Sequence, residues 1–383
     1  MKRLICLLIA AVLVLMPLTV RAAPLETAGK SALLMDVATG TVLYESNAHE
    51  PLPPASVTKV MTLLLIMEAI DSGKIAWEDT VTASEAAAAK GGSQIYLKVG
   101  ETMSVTDMVK SIAVSSANDC ACAMAEHIAG SEGAFVDAMN RRAGELGMKD
   151  THFVNCTGLD DEANAKEHLT SAYDIAIMSR ELLKNHPDIT KFTTIWMDTV
   201  RNGQFGLSNT NKLVRFYPGT TGLKTGFTSA AGYCLSASAS RDGLGLIAVV
   251  MGCKTPQERL AACKSMLDFG FANYALVTPA LPGQAEVPVR LGKETVVKAV
   301  PAEAQPLLVE KGQRDQVKVE MELEERIQAP VSQGQRLGTM TVRSGEQVLA
   351  QIPLVAEKSV ARLTWTDLLG KILRRLAMAK EGT

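Results

Sequence analysis

Apolar and polar positions group along this chain in a way that predicts its elements. Ser31 to Asp36 and Thr41 to Glu45 read as two strands joined by Ala38-Thr39-Gly40, a hairpin signal. Pro51, Pro53 and Pro54 stop the chain, and Ser56 to Asp71 then reads as a helix ended by Ser72-Gly73. Val57, Val60, Met61, Leu63 to Met67, Ala69 and Ile70 make that helix apolar nearly all round, the pattern of a buried central helix. Helical pattern also covers 105–128, 132–147 and 170–184. Strand-like runs return at Leu223 to Phe227, Gly232 to Ser240 and Leu244 to Met251, with Arg241-Asp242-Gly243 as a turn between the last two. A helix from Pro256 to Phe271 follows.

Strands at both ends with helices between them argue for an α+β fold, in which an antiparallel sheet joins the two ends and helices cover its faces. The run Pro279-Ala280-Leu281-Pro282-Gly283 marks a boundary, and from Val287 to about Ala356 short alternating runs with Gly/Pro turns predict a small all-β domain. The expected organisation is a leader at 1–22, a main domain at 23–278, a β-rich domain at 279–357 and a separate C-terminal helix at 358–383.

The two ends of the chain carry addressing signals. Met1-Lys2-Arg3 is a short basic start, Leu4 to Val20 is apolar apart from Thr19, and Val20-Arg21-Ala22 offers small residues for cleavage after Ala22. Pro17 breaks an apolar run already short for a membrane span. Cleavage would remove Lys2, Arg3 and Arg21 and no acid, taking the formal net charge from −2 to −5. Near Val360 the pattern turns amphipathic: Leu363, Trp365, Leu368, Leu369, Ile372, Leu373 and Leu376 recur near helical spacing beside Arg362, Lys371, Arg374, Arg375 and Lys380. A basic amphipathic helix with a tryptophan suits the interface of an anionic membrane and is too often interrupted by charge to span it.

Composition excludes several classes of function. The charge balance rules out a strongly basic nucleic-acid binder, and no nucleic-acid signature is present. His49, His127, His152, His168 and His186 are scattered with no HExxH pair, so no metal site is expected. Six cysteines remain after Cys6 leaves with the leader, an even number that invites a disulfide reading in an exported chain. A chain of this length buries a core without staples, and most of these cysteines sit among Ala, Val and Met, so mostly free thiols are expected.

Three short motifs carry candidate chemistry. In Ser56-Val57-Thr58-Lys59 a hydroxyl and an amine lie one turn apart on one helix face. Serine becomes nucleophilic only when a base removes its proton, and a lysine desolvated on an apolar helix can be that base. The helix N-terminus adds partial positive charge near Ser56. In Ser116-Ala117-Asn118 a hydroxyl can relay a proton to a leaving amine and a carboxamide can hold a substrate amide. In Lys224-Thr225-Gly226 a cation and a hydroxyl on a strand can grip a carboxylate, while glycine lets a peptide backbone lie against the strand. Singly, each also fits a plain structural role: an N-cap serine with a solvated lysine, a polar helix terminus, a strand-edge turn.

Each motif occurs once, in the order S-x-x-K, S-x-N, K-T-G, an established signature of penicillin-binding proteins and class A β-lactamases. With it the chain resembles the low-molecular-mass D-alanyl-D-alanine carboxypeptidases of the penicillin-binding protein 5 type. Leu52-Pro53-Pro54-Ala55, Gly91 to Leu97 with Gly100-Glu101, Asn118-Asp119, Thr151-His152-Phe153, Thr157-Gly158-Leu159, Thr228 and Arg259 extend the resemblance, which runs from about residue 28 to the end. Ala117 departs from it, since many members carry glycine there.

The resemblance implies a β-lactamase/DD-peptidase-like domain followed by the β domain and the C-terminal helix. It implies acyl transfer in cell-wall biogenesis: Ser56 attacks the carbonyl between two D-alanines of a peptidoglycan stem peptide, Lys59 is general base, and Ser116 passes the proton to the departing D-alanine. Asn118, Lys224, Thr225, Gly226, Thr228 and Arg259 are implied to bind substrate, Arg259 at its terminal carboxylate. The backbone N–H of Ser56 and one from the strand after Lys224 are implied to form the oxyanion hole. β-Lactam antibiotics would be trapped at Ser56, no cofactor is implied, and the implied location is the outer face of the cytoplasmic membrane. Rival readings are a DD-endopeptidase, a β-lactamase and a non-catalytic wall-binding protein. A class A β-lactamase needs a deacylating glutamate; Glu162 and Glu167 are available, and neither has the Glu-x-x-Asn spacing. Cys156 near His152 is a weaker nucleophile pair, having no orienting third partner.

Overall fold

A computed structural model of the chain describes residues 25, 27–161, 164–303 and 306–370. The expected leader, Glu162 and the tail beyond Gly370 lie outside the described residues. Five antiparallel strands form the main sheet: β1 (Ser31–Asp36), β2 (Val42–Ser46), β3 (Thr220–Thr228), β4 (Gly232–Arg241) and β5 (Leu244–Cys253). Their spatial order is β2-β1-β5-β4-β3, so the first strand of this sheet in chain order pairs with its last, Leu33 opposite Val249, and β3 is an edge.

Both faces of this sheet are covered, which is why β1 and β5 read as nearly unbroken apolar runs rather than alternating ones. Leu33, Met35, Ile247, Val249 and Met251 point into the larger core. That core is filled from α1 (Lys59–Asp71), α2 (Val105–Ser115), α3 (Asn118–Ala129), α4 (Glu132–Glu145) and α5 (Ala172–Asn185). Their alternate neighbours Ala32, Leu34, Leu246, Ala248 and Val250 point to the opposite face, against α6 (Pro256–Asn273). Helix α1 is buried around nearly its whole circumference, as its composition predicts.

Two elements differ from the sequence-based expectation. The continuous helix expected over 105–128 is broken. Ser116 takes a left-handed conformation with φ of +64°, and α3 restarts at Asn118. The apolar period runs through the break unaltered. What stops the helix is tertiary: the Asn118 amide donates to the Ser93 carbonyl of a neighbouring loop (2.7 Å) instead of to its own turn. Ser56 likewise does not open the α-helix. It sits in a 3-10 turn over Ala55–Thr58, and α1 begins at Lys59.

After α6 comes a sheet-rich C-terminal domain. Six strands pair in the spatial order Val317–Leu323, Arg336–Ser344, Gln347–Ala356, Val296–Pro301, Glu286–Arg290, Ile327–Gln328. Its core is a compact set including Val287, Val297, Leu337, Met340 and Leu354. Val360 belongs to this core and pairs with Val331, and the Leu363 amide donates to the Leu291 carbonyl. The β domain therefore draws on residues up to Leu363, and a helix begins only at Trp365.

Leu34→Ala, which removes a fully buried side chain between the sheet and α6, is expected to cost about 2–5 kcal/mol in urea unfolding. Val348→Ala, on an exposed stretch of the β domain, is expected to stay within about 0.5 kcal/mol of the parent. Equal effects would mean that the two-faced packing of β1 is wrong.

Candidate active site

The 3-10 turn explains how Ser56 meets Lys59, because side chains three residues apart eclipse in that geometry. Lys59 Nζ lies 3.0 Å from Ser56 Oγ and donates to the Thr157 carbonyl at 2.8 Å. Lys59 is fully buried, and loss of water pulls its pKa from 10.5 down to about 7. A neutral amine can keep its bond to the carbonyl and turn its lone pair to the serine hydroxyl.

The Thr157 carbonyl is held by a loop pinned at several points. Asn155 Oδ1 accepts from the Thr157 amide, the Thr157 hydroxyl and the Gly158 amide, and Asn155 Nδ2 donates to the Leu159 carbonyl. Thr62 Oγ1 donates to the Cys156 carbonyl, and the Cys156 amide donates to Glu132. Gly158 has φ of +80°, and a Cβ there would stand 1.9 Å from the Ala55 carbonyl oxygen, so only glycine lets the loop press against the Ala55–Thr58 turn.

On the other side runs edge strand β3. A Cβ on Gly226 would stand 2.6 Å from the Pro54 carbonyl oxygen and 3.1 Å from the Ser56 amide nitrogen, so the glycine permits the close approach of strand and turn. Lys224 is buried and donates to the Thr225 carbonyl. Burial, with the Lys59 and Arg259 cations nearby, drives its pKa well below the usual lysine value. The Thr225 hydroxyl donates to Thr210 Oγ1 at 2.7 Å. Arg259, on α6, donates through Nη1 to the Gly226 and Cys234 carbonyls, and its Nε is buried with no partner among the described residues. Glu258 does not pair with it; that carboxylate closes the capping box of α6 with Thr255.

The break between α2 and α3 delivers the third group. Ser116 Oγ and Asn118 Oδ1 are buried, and neither has a hydrogen-bond partner among the described residues. Asn118 Nδ2 donates to the Gly91 carbonyl, and the Asp119 carboxylate accepts from the Ile95, Leu97 and Cys120 amides. Arg201 clamps the same loop from outside, through the Ile95 carbonyl and Glu101. The Thr228 hydroxyl, at the end of β3, accepts from the Ala231 amide in the β3–β4 turn.

Several of these supports have no motif to announce them: Asn155, Glu132, Arg201 and His168. His168 Nε2 lies 2.8 Å from Thr58 Oγ1 inside the core beneath the turn. The alternative nucleophile is set aside by chemistry. The Cys156 thiol hydrogen-bonds Glu132, and the neighbouring Cys122, burial and Glu132 push its pKa far up, away from the reactive thiolate. All six described cysteines are buried and free. Glu167, considered above as a deacylating base, is exposed on a short 3-10 turn.

Comparison with known proteins covers both parts of the chain. The profile of the D-alanyl-D-alanine carboxypeptidase family matches residues 18–255, and that of the penicillin-binding protein 5 C-terminal domain matches 276–362. The chain is 46% identical over 348 residues to D-alanyl-D-alanine carboxypeptidase DacF of Bacillus subtilis (strain 168), covering 89% of this chain and 88% of DacF. Its structure is similar to that of penicillin-binding protein 5 from Haemophilus influenzae, with a TM-score of 0.76 and 31% identity over 89% of this chain and all of that one (100%). It is also similar to penicillin-binding protein D2 from Listeria monocytogenes in its ampicillin-bound form, with a TM-score of 0.59 and 31% identity over 65% of this chain and 100% of that one.

The buried amine has a measurable signature. In ¹³Cε-lysine NMR, one resonance absent from Lys59→Met is expected to titrate near pH 7. The unfolded chain holds that proton up to about pH 10.4. Between these values the unfolded state binds the extra proton, so the cost of burying Lys59 is relieved as pH rises, stability climbing by about 1.4 kcal/mol per unit, and that cost is constant below 7. Lys59→Met should lack that rise. A Lys59 midpoint above 9 would contradict the desolvated amine.

Proposed function

The chain belongs to the D-alanyl-D-alanine carboxypeptidase family, and on that premise we propose how its own residues perform the reaction. Ser56 is the nucleophile. The observation that carries this assignment is the buried Lys59 amine, 3.0 Å from Ser56 Oγ and near neutrality in its pKa. A base poised near the working pH contributes typically about 10²–10⁴-fold.

Lys59 takes the hydroxyl proton as Ser56 Oγ attacks the carbonyl between the two D-alanines of a peptidoglycan pentapeptide. The negative oxygen of the tetrahedral intermediate is held by the Ser56 N–H and by an amide of β3 beyond Lys224. The peptide lies along the open edge of β3 as an added strand, with Asn118 holding a substrate amide. Lys224, Thr225 and Arg259 receive its terminal carboxylate, a charge-assisted contact. Collapse of the intermediate breaks the C–N bond, and the departing D-alanine takes its proton through Ser116. Water then releases the acyl group from Ser56. A β-lactam acylates the same hydroxyl and leaves slowly. Gly226 and Thr228, further along β3, also contact the bound peptide.

The protein acts outside the cytoplasm in this reading, exported by residues 1–22 and held at the outer face of the membrane by its C-terminal helix. Exposed apolar side chains support the anchor. Trp365 is 87% exposed and Leu369 59% exposed at the start of that helix, and Leu291 beside it is also exposed.

Ser56→Ala is expected to abolish D-alanine release from a pentapeptide and covalent penicillin labelling together. Labelled penicillin surviving denaturation of that variant would overturn the assignment. A chain ending at Leu363, which keeps Val360 in the β core, is expected to release D-alanine from small peptides at the full rate and to stay in the supernatant with anionic vesicles. The full chain should sediment with them and be only partly released by high salt. Equal partitioning of the two chains would remove the anchor.

A further inference from the structure

The Ser56 N–H belongs to the same peptide unit as the Ala55 carbonyl. In a trans peptide the two point in opposite directions, so whatever fixes the carbonyl also aims the N–H. Ala55 is a non-glycine residue with φ of +49°, an uncommon backbone that the surroundings must enforce. The Ala55 carbonyl accepts from Thr58 Oγ1 at 2.8 Å, and Thr58 Oγ1 lies 2.8 Å from His168 Nε2. His168 Nδ1 accepts from the Val154 amide at 3.2 Å. That bond fixes the tautomer, because a neutral imidazole accepting at Nδ1 carries its proton on Nε2. Every polarity in the line follows: Val154 N–H to His168, His168 Nε2–H to Thr58, Thr58 O–H to Ala55 C=O.

The line is sealed from water. Thr58 is fully buried, His168 is 3% exposed and Ala55 2% exposed. Burial, with His152 and Lys59 adding to it, brings the His168 pKa down to about 4, so the ring is neutral wherever the enzyme works. Gly158 closes the other side, since a Cβ there would meet both the Ala55 oxygen and Thr58 Oγ1. On the far face of the same peptide the Ser56 nitrogen looks toward Gly226 of β3.

We propose that Thr58 and His168 are positioning residues that hold the Ala55–Ser56 peptide so that the Ser56 N–H faces the developing oxyanion. The proposal rests on the reading of Ser56 as nucleophile. Neither side chain reaches the reacting atoms; they act through a backbone carbonyl. A hydroxyl is needed at 58 to donate to that carbonyl, and a donor at the Nε2 position is needed to spend the hydroxyl's lone pair and point its proton the right way.

The test compares Thr58→Val, Thr58→Ser, His168→Leu and His168→Gln in the full chain. Loss of one oxyanion donor costs about 10²–10³-fold in kcat, and a misaimed donor should cost a part of that. Thr58→Val and His168→Leu are expected to lower kcat for D-alanine release at least tenfold with KM within about threefold, a split typical of a contact made only in the transition state. Affinity for a peptide boronic acid, which forms a tetrahedral adduct on Ser56, should fall in parallel. Thr58→Ser, and in part His168→Gln, should restore both. A loss confined to thermal stability, with kcat and boronate affinity intact, would overturn the proposal, as would a Thr58→Ser no better than Thr58→Val. If Thr58→Val does not fold, His168→Gln against His168→Leu decides by the same two readouts. Absence of acylation at Ser56 in the parent chain would instead refute the underlying reading.

Discussion

Putting an amine where water cannot reach it is the constraint on which the rest of this structure depends. A lysine side chain at the start of α1 costs stability whenever it is charged, because its ammonium loses hydration, and the Thr157 carbonyl, Ser56 and the field of Asp119 do not make up the loss. That cost is tolerated because the surrounding core is large and packed from both faces of the sheet. It also dictates what must stand around it. A carbonyl has to be delivered to Nζ, so the 153–159 loop is tied down by Asn155, Thr62 and Glu132. A second cation, Lys224, sits close enough to be depressed by it. Two segments far apart in the chain thus meet in space: the Ser56–Lys59 turn and the Lys224–Gly226 strand pack against each other around the buried amine.

The main architecture was legible because it is written in burial. Strands covered on both faces read as apolar runs, a helix buried all round reads as one, and the pairing of β1 with β5 follows from strands at both ends of the domain. The three motifs were legible for a different reason: each fits a plain structural role alone, and it is their conjunction in the order S-x-x-K, S-x-N, K-T-G that sets them apart. What could not be read is whatever one segment imposes on another. The break at Ser116 is made by the Ser93 carbonyl, far away in sequence. The 3-10 turn at Ser56 depends on Gly158 and Gly226 closing in from two sides. His168, one of five scattered histidines, carries no local pattern that separates a positioning group from an ordinary core residue.

The β domain shows the same limit at its end. The turn to an amphipathic helical pattern placed the tail at 358, yet Val360 is inserted in the β core, because one apolar residue among polar ones gives no signal of the partner it meets at Val331. Pairing across that distance extends the folded unit by a few residues and moves the start of the exposed, tryptophan-bearing helix to Trp365.

Backbone ease and chemistry are opposed at Ser116. Its left-handed backbone is the conformation in which glycine ends helices most comfortably, and a residue with a Cβ there carries about 1 kcal/mol or more of conformational penalty. Substitution by glycine would therefore relieve the torsion, and would remove a buried hydroxyl that has no hydrogen-bond partner among the described residues. In the proposed mechanism that hydroxyl is the proton relay, so the residue that would ease this torsion most is one the chemistry could not use.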